Sequence, residues 1–203
     1  RPVVPRRLVL GASDAEMLRR VARRTWHYFE RFVTEEDHRL PPDNVQQTPE
    51  LLIAHRTSPT NIGMGLLSTL AAHDLGFLGT DRLAERIEDT LATLETLERH
   101  EGHLLNLYDT TTLAPLAPRY VSTVDSGNLA GALMTLAAGL RERAGAAEDV
   151  DVLCAGAADT AGVLAERLAA LTQHSHGGGQ LPRLCGLALQ GLEALRASLA
   201  EAA

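Results

Sequence analysis

The sequence predicts an all-α protein of antiparallel helical hairpins, with one extended hairpin insertion. Two observations carry this. Apolar residues recur at every third or fourth position in six segments of similar length, joined by short Gly-, Pro- or Ser/Thr-bearing connections. Aromatic residues make up only 3% of the chain, so Ala and Leu fill the expected cores. No sequence repeat accompanies the helices, which favours a toroid of paired helices over a solenoid.

The first helix is expected over about 14–33, after an extended segment 1–13. Ser13 and Glu16 have the spacing of a capping box. The apolar stripe is Leu18, Val21, Ala22, Thr25, Trp26, Phe29 and Phe32, and Pro41-Pro42 ends the region. Arg19, Arg20, Arg23 and Arg24 read as the solvated face. A second helix, about 60–75, turns Ile62, Leu66, Leu67 and Leu70 inward and stops at Gly76. The third, about 81–100, follows Thr80 as N-cap, carries Leu83, Ile87, Leu91 and Leu94, and ends by Gly102.

Residues 103–124 change character, with two β-favouring runs around TTTLAPLA that predict a hairpin or extended loop. Ser126 then suits the cap of a fourth helix, about 126–144, with Leu129, Leu133, Leu136 and Leu140 inward. A fifth, about 150–172, shows Leu153, Leu164, Leu168 and Leu171. QHSHGGGQ is a loop, and a sixth helix, about 182–200, starts near Pro182.

The chain has 203 residues, 45% of them hydrophobic, enough for one domain, here 14–203. Nineteen Lys and Arg face 26 Asp and Glu, a net charge of −7. Without a basic patch, a nucleic-acid surface is excluded. Cys154 and Cys185 sit in apolar surroundings and read as buried reduced thiols, pointing to a reducing compartment. Apolar runs fall short of the ~18 residues of a membrane span. The N-terminus is no secretory signal and lacks an initiator Met, so the chain is expected to be cut from something longer.

Three connections concentrate groups suited to sugars. TEEDHRLPPDNVQ carries Glu35, Glu36, Asp37, Asp43, Asn44 and Gln46. AHRTSPTNIG carries His55, Arg56, Thr57, Ser58 and Asn61. The segment from NLYDT to STVDSGN carries Asn106, Tyr108, Asp109, Asp125, Ser126 and Asn128. Sugar hydroxyls donate and accept, so Asp, Asn and Arg in fixed geometry can match two at once, and an aromatic ring can cover the pyranose. Plainer readings stand beside these. Asp125-Ser126 also suits a helix cap, Thr57-Ser58-Pro59-Thr60 a helix start, Glu35-Glu36-Asp37 a solvated helix end, and Tyr108 and Trp26 the core. Arg56, a lone cation amid Thr, Ser and Asn, needs an acidic or polyhydroxylated partner if buried. In antiparallel helices the connections before even-numbered helices share one end, so Arg56, Asn61, Tyr108, Asp109, Asp125 and Asn128 are expected to converge, and TEEDHRLPPDN with them.

His174-Ser-His176 lacks a nearby third ligand, so no metal is expected. Gly177–Gly179 lack a nucleotide fingerprint, and no G-x-S-x-G or cysteine nucleophile signature occurs, so no cofactor is expected.

Four strings in order, TWHYFERFVTEEDHRLPPDNVQ, AHRTSPTNIGMGLLSTLAAHDLGFLGT, RIEDTLATLETLERH and GHLLNLYDTTTLAPLAPRYVSTVDSGNLAG, resemble the glucoamylase-like region of cyclic β-1,2-glucan synthases. The match runs over roughly 15–145. These are large bacterial membrane-associated enzymes once grouped with the family 36 glycosyltransferases. The resemblance implies an (α/α)6 barrel, of which this chain is about the N-terminal half. It implies a β-1,2-linked glucan as partner, with transglycosylation closing the ring. It also places the segment at the cytoplasmic side of the inner membrane, soluble itself, beside the remainder of a longer polypeptide whose other regions use UDP-glucose and phosphate. The two catalytic glutamates of the family belong to the later half, so the expectation is a glucan-binding wall, inactive alone. The competing readings are a stand-alone helical module gripping a glycan or protein, and a small all-α hydrolase pairing Asp109 with Asp125. Half a toroid leaves apolar stripes uncovered or buries them in a homodimer.

Overall fold

The computed structural model describes residues 10–174 and 180–202. Most of the expected extended segment 1–13, and of the loop QHSHGGGQ with His176, lies outside the described residues. Six helices occur among those described: α1 (Ala12–Phe32), α2 (Pro59–Asp74), α3 (Thr80–Thr96), α4 (Thr123–Arg143), α5 (Val150–His174) and α6 (Gln180–Ala202). Six two-residue strands lie in the connections: β1 (Val45–Gln46), β2 (Leu52–Ile53), β3 (Arg56–Thr57), β4 (Arg99–His100), β5 (His103–Leu104) and β6 (Tyr108–Asp109). They pair antiparallel as β1–β2, β3–β6 and β4–β5.

All six expected helices form, but their ends are set by other residues in four places. Gly11, already extended, is the N-cap of α1, so Ser13 lies inside the first turn and the Ser13–Glu16 capping box does not form. Glu16 instead pairs with Arg20 one turn on, at 3.1 Å. Gly79 precedes α3, and Glu148 replaces Thr80 as cap by accepting from Thr80 N at 2.8 Å. Ser122, not Ser126, caps α4, accepting from Asp125 N at 3.2 Å. α3 ends at Thr96 because Glu101 and Gly102, at φ 49° and 84°, form the two-residue turn of the β4–β5 hairpin. The expected helix start at Ser58 does form, with Ser58 Oγ accepting from Asn61 N and Pro59 in the first turn.

Helices adjacent in sequence pack on one another, as expected, at α1–α2, α2–α3 and α5–α6, and so does the alternate pair α2–α4. α2 lies along α4 and runs parallel to it. Thr60 meets Asp125 at their N-terminal ends, Gly63 faces Ala132, Leu70 faces Gly139, and Asp74 pairs with Arg143 at the far ends. Small residues permit this approach: a Cβ on Gly63 would lie 2.9 Å from that of Ala132. α1 runs antiparallel to α2, with Arg19 at Leu75 O and Trp26 against Ala72. The two cores this creates hold Ile62, Leu66, Leu83, Ile87, Leu129 and Leu136 in one and Trp26, Phe29 and Val33 in the other. The guanidinium of Arg86 covers Trp26 at 5.1 Å.

The arginines of α1 are only in part a solvated face: Arg20 and Arg24 are exposed, Arg19 and Arg23 less so, and all four have partners. Arg19 Nε meets Asp159 at 2.7 Å, Arg23 Nε donates to Thr160 at 2.8 Å, and Arg20 and Arg24 both pair with Glu166. They tie α1 to the polar side of α5. Conversely, Leu18, Val21, Leu164 and Leu171, expected inward, are about half exposed. Cys185 is buried and free; Cys154 is free and only partly buried.

Candidate functional site

The connections before α2 and α4 are joined by the β3–β6 pair, which sets Arg56 opposite Asp109 and Thr57 opposite Tyr108. This places both connections at one end of the parallel α2–α4 pair. Asp43 organises the first half. Its Oδ2 accepts from Arg56 Nε at 3.1 Å and from Asn44 Nδ2 at 3.3 Å; its Oδ1 accepts from Asn61 Nδ2 at 3.2 Å. The backbone agrees, with Asp43 N donating to Arg56 O at 2.7 Å. Thr60 organises the second half, donating to Asp125 Oδ1 at 2.5 Å and accepting from Asn128 Nδ2 at 3.1 Å. Thr60 and Asn61 are adjacent, so Asp43, Arg56, Asn61, Asp125 and Asn128 form one polar surface. The Arg56 side chain is 48% exposed and that of Asp43 32%, leaving both able to exchange solvent for a hydroxyl-bearing ligand.

Behind this surface lies a network around Asp37, which is 3% exposed. Asp37 Oδ1 accepts from Thr110 Oγ1 at 2.5 Å and from His55 Nδ1 at 2.7 Å, and Oδ2 from Thr34 Oγ1 at 3.1 Å. Burial pushes the Asp37 carboxyl up, but hydrogen bonds from His55, Thr110 and Thr34 and the His55 charge outweigh it and hold it below the usual carboxylate range. His38 Nδ1 donates to Thr110 O at 2.8 Å, so three connecting segments are locked together. Asp37 is therefore not part of a solvated helix end.

Several expected ligands are turned inward. Tyr108 is fully buried; its hydroxyl donates to Glu98 O and accepts from Leu105 N, both at 2.6 Å, which makes it core rather than a sugar platform. Thr57 is fully buried and its Oγ1 has no partner among the described residues, because β3 faces that side chain into the core. The Ser126 hydroxyl is likewise buried without a partner among the described residues. The Ser58 hydroxyl is spent capping α2. Asp109 closes its own turn: Oδ1 accepts from Thr111 Oγ1, Thr112 N and Thr111 N at 2.7, 2.8 and 2.9 Å, and these bonds, that of Thr111 first, hold its carboxyl below the ordinary range.

Thr60 is the member of this surface that sequence reasoning left as a mere helix-start residue. The signal was its place in the first turn, one residue after Pro59 and one before Asn61. Tyr120, read only as part of a β-favouring run, is 53% exposed. Among the described residues, no group of three or more His, Cys, Asp or Glu side chains is arranged to hold a metal ion.

These features define an all-α protein with a hydrogen-bonded polar face at the shared N-terminal end of two parallel helices. The chain belongs to the family described as protein of unknown function DUF3131, which matches residues 20–142. It is 48% identical over 162 residues to the cyclic beta-(1,2)-glucan synthase NdvB of Rhizobium meliloti (strain 1021). That match takes in 79% of this chain and spans 6% of the relative's length. Two glucoamylase-like crystal structures follow a similar path at 18% identity. One, from Bacteroides fragilis, covers 93% of this chain and 37% of its own, with a TM-score of 0.45. The other, from Bacteroides caccae, covers 89% and 36%, with a TM-score of 0.41. At these scores the likeness is weak, and the all-α assignment stands on the helices themselves.

Proposed function

We propose that this chain forms part of the glucan-binding wall of a larger β-1,2-glucan transglycosylating enzyme, as about half of an (α/α)6 toroid spanning residues 14–203. The observation that carries the reading is the convergence of Asp43, Arg56, Asn61, Asp125 and Asn128 on one face. Paired carboxylate, guanidinium and amide groups, fixed by one another, suit adjacent sugar hydroxyls. The glucan synthase relative supplies the substrate class. The rest of the long polypeptide would provide the second wall, the catalytic carboxylates and attachment to the cytoplasmic side of the inner membrane. Among the described residues, no helix is long and apolar enough to cross a membrane. Leu184, Leu187 and Leu195 of α6 are about half exposed and offer a stripe for that second wall to cover; a second copy of the chain is the other cover.

Calorimetric titration of linear β-1,2-glucan oligosaccharides into the chain tests the reading. Arg56→Ala and Asp125→Ala should each weaken binding by roughly tenfold, the loss of a charged hydrogen bond to a ligand. If affinity holds while the melting temperature falls, these residues only staple the connections together and the binding wall is elsewhere. A stand-alone binding module would instead bind with full affinity without any further polypeptide.

A further inference from the structure

A second concave surface borders the same end of the fold and takes no part in the Asp43–Arg56 network. It encloses about 570 Å³ and is walled by Glu98, Arg99, His100, Arg119 and Tyr120, with the buried Leu105 behind them. Clefts of a few hundred Å³ accept single small ligands. The walls are held by contacts outside the cleft and by an ion pair between two of its own residues. Arg99 Nη2 donates to Leu94 O at 3.0 Å, and Arg119 pairs with Glu98. The backbone of Tyr120 is pinned at both polar atoms by Asn106: Asn106 N donates to Tyr120 O at 2.9 Å, and Tyr120 N to Asn106 Oδ1 at 3.4 Å. Tyr120 lies two residues before Ser122, the cap of α4, so it enters the helix whose first turn carries Asp125.

Tyr120 as a residue is 53% exposed, and among the described residues its ring stacks on no other ring and its hydroxyl makes no hydrogen bond. Tyr108 makes the contrast: it too is a tyrosine of this connection, but fully buried with its hydroxyl bonded twice. A single exposed aromatic means little. An exposed aromatic on a doubly anchored backbone, inside a cleft rimmed by planar donors, has the parts of a sugar platform: the ring covers the apolar C–H face while the rim addresses the hydroxyls. Arg119 is neutralised by Glu98, and Arg99 is turned back onto backbone carbonyls, with a second contact to Gly102 O at 3.4 Å. Both guanidinium groups are thus engaged in the wall, and the exposed ring is what points to a polyol.

We propose that Tyr120 is the stacking platform of a separate glucosyl subsite in this cleft, an inference that rests on the glucan-binding reading above. Titration of linear β-1,2-glucan oligosaccharides into wild type, Tyr120→Ala, Tyr120→Phe, Tyr120→Trp and Arg56→Ala tests it. Tyr120→Ala should weaken binding about tenfold, which is about 1.4 kcal/mol. Tyr120→Phe and Tyr120→Trp should stay within about twofold, because stacking needs the ring and not the hydroxyl. Melting temperatures should be unchanged, since the residue is half exposed. If Arg56→Ala weakens binding and Tyr120→Ala does not, the subsite is refuted and the glucan-binding wall stands. If Tyr120→Phe is as weak as Tyr120→Ala, a hydrogen bond replaces stacking and the platform is refuted. Competition by inorganic phosphate would overturn the polyol ligand. If the wild-type chain binds no oligosaccharide, the glucan reading fails and the subsite with it.

Discussion

Asp37 and Thr57 occupy adjoining connections and face opposite demands. Asp37 is buried yet satisfied three times over, so its carboxylate is worth more folded than unfolded. Because its folded pKa lies below the unfolded value near 3.9, the stabilisation is complete above about pH 4 and is lost as pH falls through the lowered folded value. Asp37→Asn should cost about 1–3 kcal/mol at neutral pH, as buried donors lose an ionic acceptor, and should flatten the acid limb of a stability-versus-pH curve measured by urea unfolding. An acid limb identical to wild type would place the pH dependence elsewhere. Thr57 is the reverse case, a fully buried hydroxyl with no partner among the described residues. Thr57→Val keeps the shape and removes the unpaired group, so the urea midpoint should rise, by about 1 kcal/mol of stability. A fall would mean that the hydroxyl is bonded in solution, to water or to a ligand. Neither role was readable from sequence. Glu35-Glu36-Asp37 looks uniformly solvated, and nothing in TSPT distinguishes the buried hydroxyl of Thr57 from the capping one of Ser58.

Among the elements, the turn from α2 to α3 is the tightest joint. Gly76 has φ +77°, and a Cβ there would sit 1.9 Å from Val152 O, where the start of α5 crosses. Gly156 answers from the other side, with a Cβ position 2.1 Å from Gly76 O. Gly76→Ala should therefore cost about 2–4 kcal/mol, combining left-handed strain with a backbone clash, and should loosen α5 first. Hydrogen exchange would show this as lost protection in α5 before α2; uniform loss would contradict α5 docking at this joint. Sequence reasoning found Gly76 as a stop signal and missed its second duty, because close approach of a distant helix leaves no local trace. The same limit explains the other differences. Periodicity located six helices, and the order of the connections placed the polar segments before α2 and α4 at one end. The antiparallel alternation implied that α2 and α4 point the same way, but not that they touch, since that depends on Gly63 and Gly139 meeting residues roughly seventy positions away in sequence. Nor could periodicity tell that the α1 arginines meet Asp159, Thr160 and Glu166. Caps were misplaced by one to four residues wherever a nearby Gly or Ser reached the required geometry first.

For the whole molecule, the question is whether one polar face makes an enzyme. Hydrolysis or transfer at a glycosidic bond uses two carboxyl groups flanking it, ~5–5.5 Å apart for retention and ~6.5–9.5 Å for inversion. Four aspartates at this end are otherwise engaged. Asp109 closes its own turn through three bonds, Asp43 is paired with Arg56, Asp37 is buried, and Asp125 accepts from Thr60. A general acid needs a carboxyl that stays protonated at working pH, and the two acids with a defined shift here, Asp37 and Asp109, are both moved the other way. One wall of a cleft can bind and orient a glucan without reaching both sides of the scissile bond. The half-exposed apolar residues Leu184, Leu187 and Leu195 on α6 are what an uncovered second side would leave behind. The chain alone should therefore release no measurable reducing sugar from linear β-1,2-glucan and form no cyclic product over hours, while still binding the oligosaccharide. Reducing-end assays with mass spectrometry of the products check this directly. Turnover that disappears in Asp125→Asn, with binding retained, would overturn it and make Asp125 part of a complete active site within these 203 residues.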